Sequence, residues 1–356
     1  MDLGYRRSGT VLYRSSLLET CCPPYAIRLD STNFICSKSQ KKVIKKVFNF
    51  LVPNIEERQK IRKSYPDNPT TIEELLLPID NIEDLKIELS PSEYNEESFE
   101  LYKSYQMSIH KDKEEDVKPD GFKRFLCNSP IEIESVPSLV TGGYGSFHQK
   151  YYYKGELIAL SVLDILPESV SSVYFMYSPE YEKLSLGTFS ALKEIQLTLQ
   201  LQKQLPKLKY YYMGLYIHNC PKMKYKAEYH PSYLLDPSSL SWVSFSECED
   251  KLDEAVKSKE LYTPLISNSP QPLPHPFEWC AKHPGFVNIE SIDKSHLYDL
   301  KIQMPTLDER KNRVLKVFPG EFIIKYFEED NDFINHFKEA FAALGPELAY
   351  DIVLSC

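Results

Sequence analysis

Residues 149–165 read Gln149-Lys150-Tyr151-Tyr152-Tyr153-Lys154-Gly155-Glu156-Leu157-Ile158-Ala159-Leu160-Ser161-Val162-Leu163-Asp164-Ile165. Lys154-Gly155 separates two strand-like runs, which is the signature of a tight hairpin. The second run, 157–163, is apolar without alternation, as expected of a strand buried on both faces. Downstream, 171–177 is rich in Val and aromatic residues and reads as a further strand. Ser185-Leu186-Gly187 then opens a helical segment in which Leu186, Phe189, Leu192, Ile195 and Leu199 recur every three or four residues, the spacing of one buried stripe. Residues 209–217 close the unit as another strand. Strand, strand, helix, strand with hairpin connections predicts an α+β domain, its helix packed on a mostly antiparallel sheet.

The order of these elements matters for chemistry. A strand that passes through a Gly-containing turn into a helix presents backbone N–H groups at the helix start, where an anion or a developing oxyanion is favoured. Ser185 and Gly187 occupy that position. Tyrosines crowd the strands at 151–153 and 210–212. Neighbours on a strand face opposite ways, so only one set could line a pocket.

The 356 residues allow one or two domains, and 42% apolar with 26% charged residues is ordinary soluble usage. No apolar run approaches the roughly 20 residues of a membrane span, and the first residues lack the apolar core of a secretory signal. A reducing, cytoplasmic setting is therefore expected, with no membrane partner. The net charge of -9 argues superficially against nucleic acid, but it is unevenly spread. Residues 1–60 and 121–230 carry +6 and +3, whereas 61–120 and 231–356 carry -9 each. Only local charge meets a polyanion, so the two basic blocks keep such a ligand open. The acidic, proline-punctuated stretch 61–120 reads as a loose insert, with a short helix over 92–110. Prolines at 264, 270, 272, 274 and 276 mark a second loop-rich region. The expected organisation is a partial N-terminal domain (1–60), the insert (61–120), a catalytic domain (121–260) and a C-terminal extension completing the fold (261–356).

Several peptides resemble those of a known family. They are Asp2-Leu3-Gly4-Tyr5-Arg6-Arg7-Ser8-Gly9, Thr20-Cys21-Cys22-Pro23-Pro24-Tyr25-Ala26-Ile27-Arg28, Phe122-Lys123-Arg124-Phe125-Leu126 and Phe147-His148-Gln149. Further on come Asp164-Ile165-Leu166-Pro167, Ser171-Ser172-Val173-Tyr174-Phe175, Tyr211-Tyr212-Met213-Gly214-Leu215-Tyr216-Ile217 and Cys220-Pro221-Lys222-Met223-Lys224-Tyr225-Lys226. Together they are similar to the blocks of eukaryotic, fungal-like arginyl-tRNA-protein transferases. The resemblance implies a GNAT-like acyltransferase fold. It also implies transfer of arginine from arginyl-tRNA to the N-terminal amine of proteins beginning with Asp or Glu, which marks them for N-degron proteolysis. The alternative is a noncatalytic aminoacyl-tRNA or N-degron binding protein derived from such an enzyme. No DNA partner is implied, and no cofactor is required for transfer. The family's Cys-Gly-Tyr-Cys segment, associated with a metal or iron-sulfur site, does not precede these blocks. Cys21 and Cys22 alone leave that site incomplete, because zinc or a cluster takes four ligands.

Direct attack of an amine on an activated ester needs no covalent enzyme intermediate. It does need a neutral amine and a carboxylate for the cationic arginine of the donor. His148, Asp164 and Glu194 are the candidate catalytic residues; Asp164, Glu180 and Glu194 are the candidates for holding the arginine. A lone His beside strands is more often a satisfied structural side chain. For substrate binding the candidates are Lys123, Arg124, Lys222, Lys226, Tyr174, Tyr212, Ser185 and Gly187. Lys beside Tyr serves phosphate and base alike, and Arg124 could grip an acidic side chain through two parallel hydrogen bonds.

Overall fold

The computed structural model describes residues 1–15, 22–137, 139–236, 239–258, 264–266, 287, 289–307, 313–350 and 353–355. The chain divides into two compact units, Met1–Pro270 and Gln271–Cys356.

In the first unit a short hairpin, β1 (Arg6–Ser8) and β2 (Val11–Tyr13), is followed by β3 (Tyr25–Asp30) and three helices, α1 (Lys38–Leu51), α2 (Ile55–Arg62) and α3 (Ile72–Asp80). Then come β4 (Leu85–Pro91), α4 (Glu96–Tyr105), α5 (Pro119–Phe122), β5 (Glu134–Ser135), β6 (Gly143–Tyr153), β7 (Glu156–Leu166) and β8 (Ser169–Tyr177). The unit ends with α6 (Leu186–Gln204), β9 (Tyr210–Tyr216), α7 (Pro221–Lys224), β10 (Ser232–Leu235), β11 (Trp242–Ser244) and α8 (Phe245–Ser258). The strands other than the β1–β2 hairpin form one nine-stranded sheet in the order β11-β10-β3-β9-β8-β7-β6-β4, with β5 also on β6. Its pairs are antiparallel except β8 with β9, which is parallel.

The hairpin turn forms as its sequence requires, with Lys154 at φ 51° and Gly155 at φ 86°. Strand β7 is buried from Leu157 to Ile165 because helices cover both faces. Ile158, Leu163 and Ile165 pack in one core with Phe189, Leu192 and Ile195 of α6. Leu157, Leu160 and Val162 pack in another with Phe99, Leu101 and Tyr102 of α4 and with Phe122. Helix α6 buries more than one stripe. Leu197 and Leu201 are also inside, because α1 and α3 close over its far side.

Two boundaries read from composition do not separate bodies. The N-terminal strand β3 lies between β9 and β10, so residues 1–60 belong to the main sheet. The supposed insert supplies β4, which pairs along β6 from Leu85↔Tyr153 to Pro91↔Phe147 and extends the sheet past that strand. It also supplies α3, with a Thr71–Glu74 capping box, and α4, with an Asn95 cap. Acidic and proline-rich composition concealed this order because the ordering contacts are distant in sequence. The second unit has strands Lys301–Leu307, Arg313–Pro319 and Val353–Ser355 and helices Gly320–Tyr326 and Asn331–Ala349. Its own core includes Ile302, Ile323, Ile324, Ile334, Phe337 and Phe341. The proline run at 270–276 lies outside the described residues.

Candidate active site

Strands β8 and β9 stay together for only three residue pairs, Ser169↔Tyr210, Val170↔Tyr211 and Ser171↔Tyr212. Beyond that point β9 pairs only with β3, and β8 only with β7. A cavity of about 480 Å³ opens where the strands part. Helix α6 forms part of its lining through Gly187, Ser190, Ala191 and Glu194, whose three- and four-residue spacing keeps them on one face. Strand β9 contributes Tyr211 and Met213. Aromatic walls come from Tyr105, Tyr174, Phe175, Tyr177, Tyr225 and Tyr229, and cations from Arg6, Arg7 and Lys226.

Glu194 is the chemical centre of this cavity. It is 1% exposed and accepts hydrogen bonds from Ser161 Oγ at 2.8 Å, Ser190 Oγ at 2.6 Å and the Tyr211 hydroxyl at 2.6 Å. Burial pushes its carboxyl above the ordinary value, although the hydroxyl donors pull the other way. Burial and the neighbouring Glu194 hold the Tyr211 hydroxyl well above its usual range, so it remains a donor. A desolvated carboxylate enclosed by aromatic faces suits a planar cation such as a guanidinium, which it can pair with and which the rings can stack on.

The other residues singled out from the sequence fall in several places. Tyr174 and Gly187 line the cavity, Gly187 in the first turn of α6, while Ser185 precedes that turn in a left-handed conformation (φ 59°). Lys226 lines it too, donating to the Leu215 carbonyl at 2.6 Å; burial and the nearby Arg6 push its ammonium down to about 8. Lys222 is exposed on α7, which leads into this wall. Arg124 is exposed, beside Phe125, whose ring packs on Tyr174 at 5.2 Å. Lys123 instead lies over the Tyr94 ring at 4.5 Å and 3.9 Å from Asp120. Glu180 is exposed on a turn and is not part of the lining.

Three assignments change. Asp164 is fully buried, is not itself part of the lining, and is fully engaged by Arg7, which is. Arg7 grips it with Nε at 2.9 Å and Nη2 at 2.9 Å, and Ser146 Oγ donates at 2.6 Å. This is an internal ion pair rather than a site for substrate. His148, also fully buried, holds Nε2 at 3.0 Å from the Leu126 carbonyl and 3.2 Å from Ser92 Oγ, joining β6 to the segment after α5. Tyr212 points to the opposite side of β9, against Trp242, and donates to Asp2. Its neighbour Tyr211 faces the cavity. Strand parity showed that only one of them could, but local sequence carries no signal for which face the helix covers. Arg6 stands in one of the family-like blocks with no role assigned to it there, and only the fold brings it and Ser190 to the cavity.

Burial depresses the His148 imidazole to about 4 from an ordinary 6.5. The folded state therefore binds this proton later than the unfolded chain does. Its stabilising contribution is complete above pH 6.5 and is lost as pH falls toward 4, by about 3 kcal/mol from this group. Denaturant unfolding between those pH values is expected to show this loss in the wild type and a flatter profile in His148→Asn.

Cys21 lies outside the described residues. Cys22 is half-buried, and among the described residues no three His, Cys, Asp or Glu side chains converge as metal ligands. The donors among the described residues do not make up a four-ligand site, and none of the chemistry below passes through one. Burial pushes the Cys36 and Cys127 thiols up to about 11 and Cys248 up to about 12, leaving them protonated. Among the described residues no helix is long and apolar enough to cross a membrane.

A mostly antiparallel sheet, opened between its two parallel strands beside a buried acid and aromatic walls, defines a mixed α+β protein with a cavity built around that acid. Comparison with known proteins carries this further. The model of the arginine-tRNA-protein transferase C terminus matches residues 97–236, and that of the N terminus matches residues 1–42. An arginyl-tRNA–protein transferase 1 from Drosophila melanogaster is 50% identical over 159 residues, covering 44% of this chain and 32% of that protein. One from Saccharomyces cerevisiae is 32% identical over 292 residues, covering 73% of this chain and 55% of that one. An aspartate/glutamate leucyltransferase from Pseudomonas fluorescens is 31% identical over 237 residues, 66% of this chain and 77% of that protein. The chain belongs to the arginine-tRNA-protein transferase family. It spans about a third of the fly relative's length and about half of the yeast one's.

Proposed function

We propose that this protein transfers arginine from arginyl-tRNA to the N-terminal amine of proteins beginning with Asp or Glu, a step that feeds N-degron proteolysis. The observation that carries this reading is Glu194, a desolvated acid in an aromatic cavity of a chain from this family. The donor's guanidinium pairs with Glu194 and lies among Tyr174, Tyr177 and Tyr225, while its ester carbonyl faces the mouth. The parting of β8 from β9 supports a GNAT-like fold, in which the acyl donor enters such a gap.

The acceptor amine attacks the ester carbonyl carbon. A C–N bond forms, the ester C–O bond breaks, and the amine's proton ends on the released ribose hydroxyl. Lys226 is the base in this reading. Its lowered ammonium value of about 8 leaves part of it neutral near pH 7, able to take the proton and pass it on. Arg124, exposed beside the Tyr174 wall, reads the acidic side chain of the acceptor, and Lys222 meets phosphate at the rim. No cofactor enters the balance.

Purified protein given radiolabelled arginyl-tRNA is expected to label peptides beginning with Asp or Glu and to leave an otherwise identical peptide beginning with Ala unlabelled. Labelling that ignores the first residue would remove the acceptor assignment, and no labelling would remove the activity.

A further inference from the structure

Helix α1 carries Lys38, Lys41, Lys42, Lys45 and Lys46 and no acidic residue. All five are exposed, and among the described residues none has an ion-pair or hydrogen-bond partner. Their spacing places them on one side, opposite Ile44, Val47, Phe48 and Leu51, which are buried. This arrangement works against the helix. Like charges three and four residues apart destabilise it by about 0.2–0.5 kcal/mol per pair. Lysines in the first turns also oppose the macrodipole, whose positive end lies there. A merely solvated face would mix signs, as α2 does with Glu56, Glu57, Lys60 and Arg62.

The N-terminal end of α1 abuts, through its buried side and the loop before it, the segment that carries part of the cavity wall. Gln40, in the first turn of α1, donates to the Glu228 carbonyl at 3.4 Å, and Phe34 stacks on Tyr229 with centroids 6.4 Å apart. Tyr229 and Lys226 line the cavity itself. From that end, Lys38 to Lys46 run about 12 Å along the helix.

We infer that the lysine face of α1 binds the phosphodiester backbone of the donor tRNA's acceptor stem, next to the aminoacyl end held in the cavity. The inference rests on the proposed use of arginyl-tRNA. A lipid surface suits the face poorly. An interfacial helix sinks its apolar side into the membrane, and here that side is occupied by the protein core. Lysines at this spacing neutralise phosphates by releasing counterions, so the contact has a salt signature.

The test is equilibrium binding of full-length arginyl-tRNA across a salt series by the wild type and by a variant with Lys38→Gln, Lys41→Gln, Lys42→Gln, Lys45→Gln and Lys46→Gln. Glutamine keeps helix propensity and removes repulsion, so thermal unfolding should be no lower in the variant. Affinity at about 50 mM salt is expected to fall roughly 10- to 100-fold, and the slope of log K against log salt to shrink by about 3–4. Use of an arginylated CCA trinucleotide, too short to reach α1, is expected to be the same in both proteins. Equal tRNA affinity and equal slope would overturn the inference, even if the variant lost binding to vesicles of anionic lipid. Wild-type protein that binds tRNA with this salt dependence but transfers no arginine would count against the proposed activity and leave the lysine face standing.

Discussion

Replacing Glu194 with Gln is expected to lower kcat/KM for the arginyl donor by roughly 100- to 1000-fold, with most of the loss in donor KM. The substitution keeps the side chain's volume and removes its charge. In the wild type Oε1 accepts from Ser161 and Ser190 and Oε2 from Tyr211, so the carboxylate is held in place before any ligand arrives. A glutamine can satisfy only some of these donors, and its NH2 faces a hydroxyl or the incoming guanidinium. The loss should exceed that of an exposed ion pair, because both partners are desolvated. Donor affinity should also depend on pH. Burial raises the Glu194 carboxyl, and only its ionised form pairs with a guanidinium. Affinity is therefore expected to rise with pH through a window above the ordinary carboxylate range, and this dependence should vanish in Glu194→Gln. Direct measurement of donor binding over pH checks both effects; an unchanged donor KM would show that the cavity serves something else.

The second large effect concerns stability. Asp164→Ala is expected to destabilise the fold by about 3–5 kcal/mol, because it leaves the Arg7 guanidinium buried without its counter-charge. The remaining bonds of Arg7, from Nη1 to the carbonyls of Gly9 at 3.1 Å and Asn128 at 3.2 Å, do not replace it. Replacing both members with apolar residues, Arg7→Met with Asp164→Leu, should recover much of the loss. Denaturant unfolding of the two variants measures this directly. If Asp164→Ala unfolds like the wild type yet transfers no arginine, Asp164 acts in the chemistry after all and the internal ion pair is the wrong description.

These two acids show which parts of the molecule were legible in the sequence. Everything decided by neighbours a few residues apart was readable. The Lys154-Gly155 turn, the doubly covered strand over 157–163 and the stripe of α6 all formed where local pattern put them. The roles of the acids depend on partners that the local pattern does not contain. Asp164 meets Arg7 across 157 positions, and no feature of the Asp164 peptide announces it. Glu194 becomes a cavity acid only because β8 and β9 part beside α6; past that point β9 keeps only β3, which comes from near the start of the chain and pairs with its other edge. The same distance hid β3 and β4 from a reading based on composition. The charge split was more informative, since its first basic block contains the lysine face of α1. Within the candidate site, Glu194, Tyr174, Gly187 and Lys226 sit at the cavity, whereas His148, Asp164 and Tyr212 serve the frame around it.

The claim that Glu194 receives the donor's arginine is tested most directly by charge. Citrulline has the shape of arginine without its positive charge. The measurement is the ratio of transfer from arginyl-tRNA to transfer from citrullinyl-tRNA, in wild-type protein and in Glu194→Gln. The expected result is a wild-type ratio of at least about 100, falling to within a few-fold of unity in the variant. A ratio that stays high when Glu194 is neutral would contradict the account, because the arginine would then be recognised elsewhere.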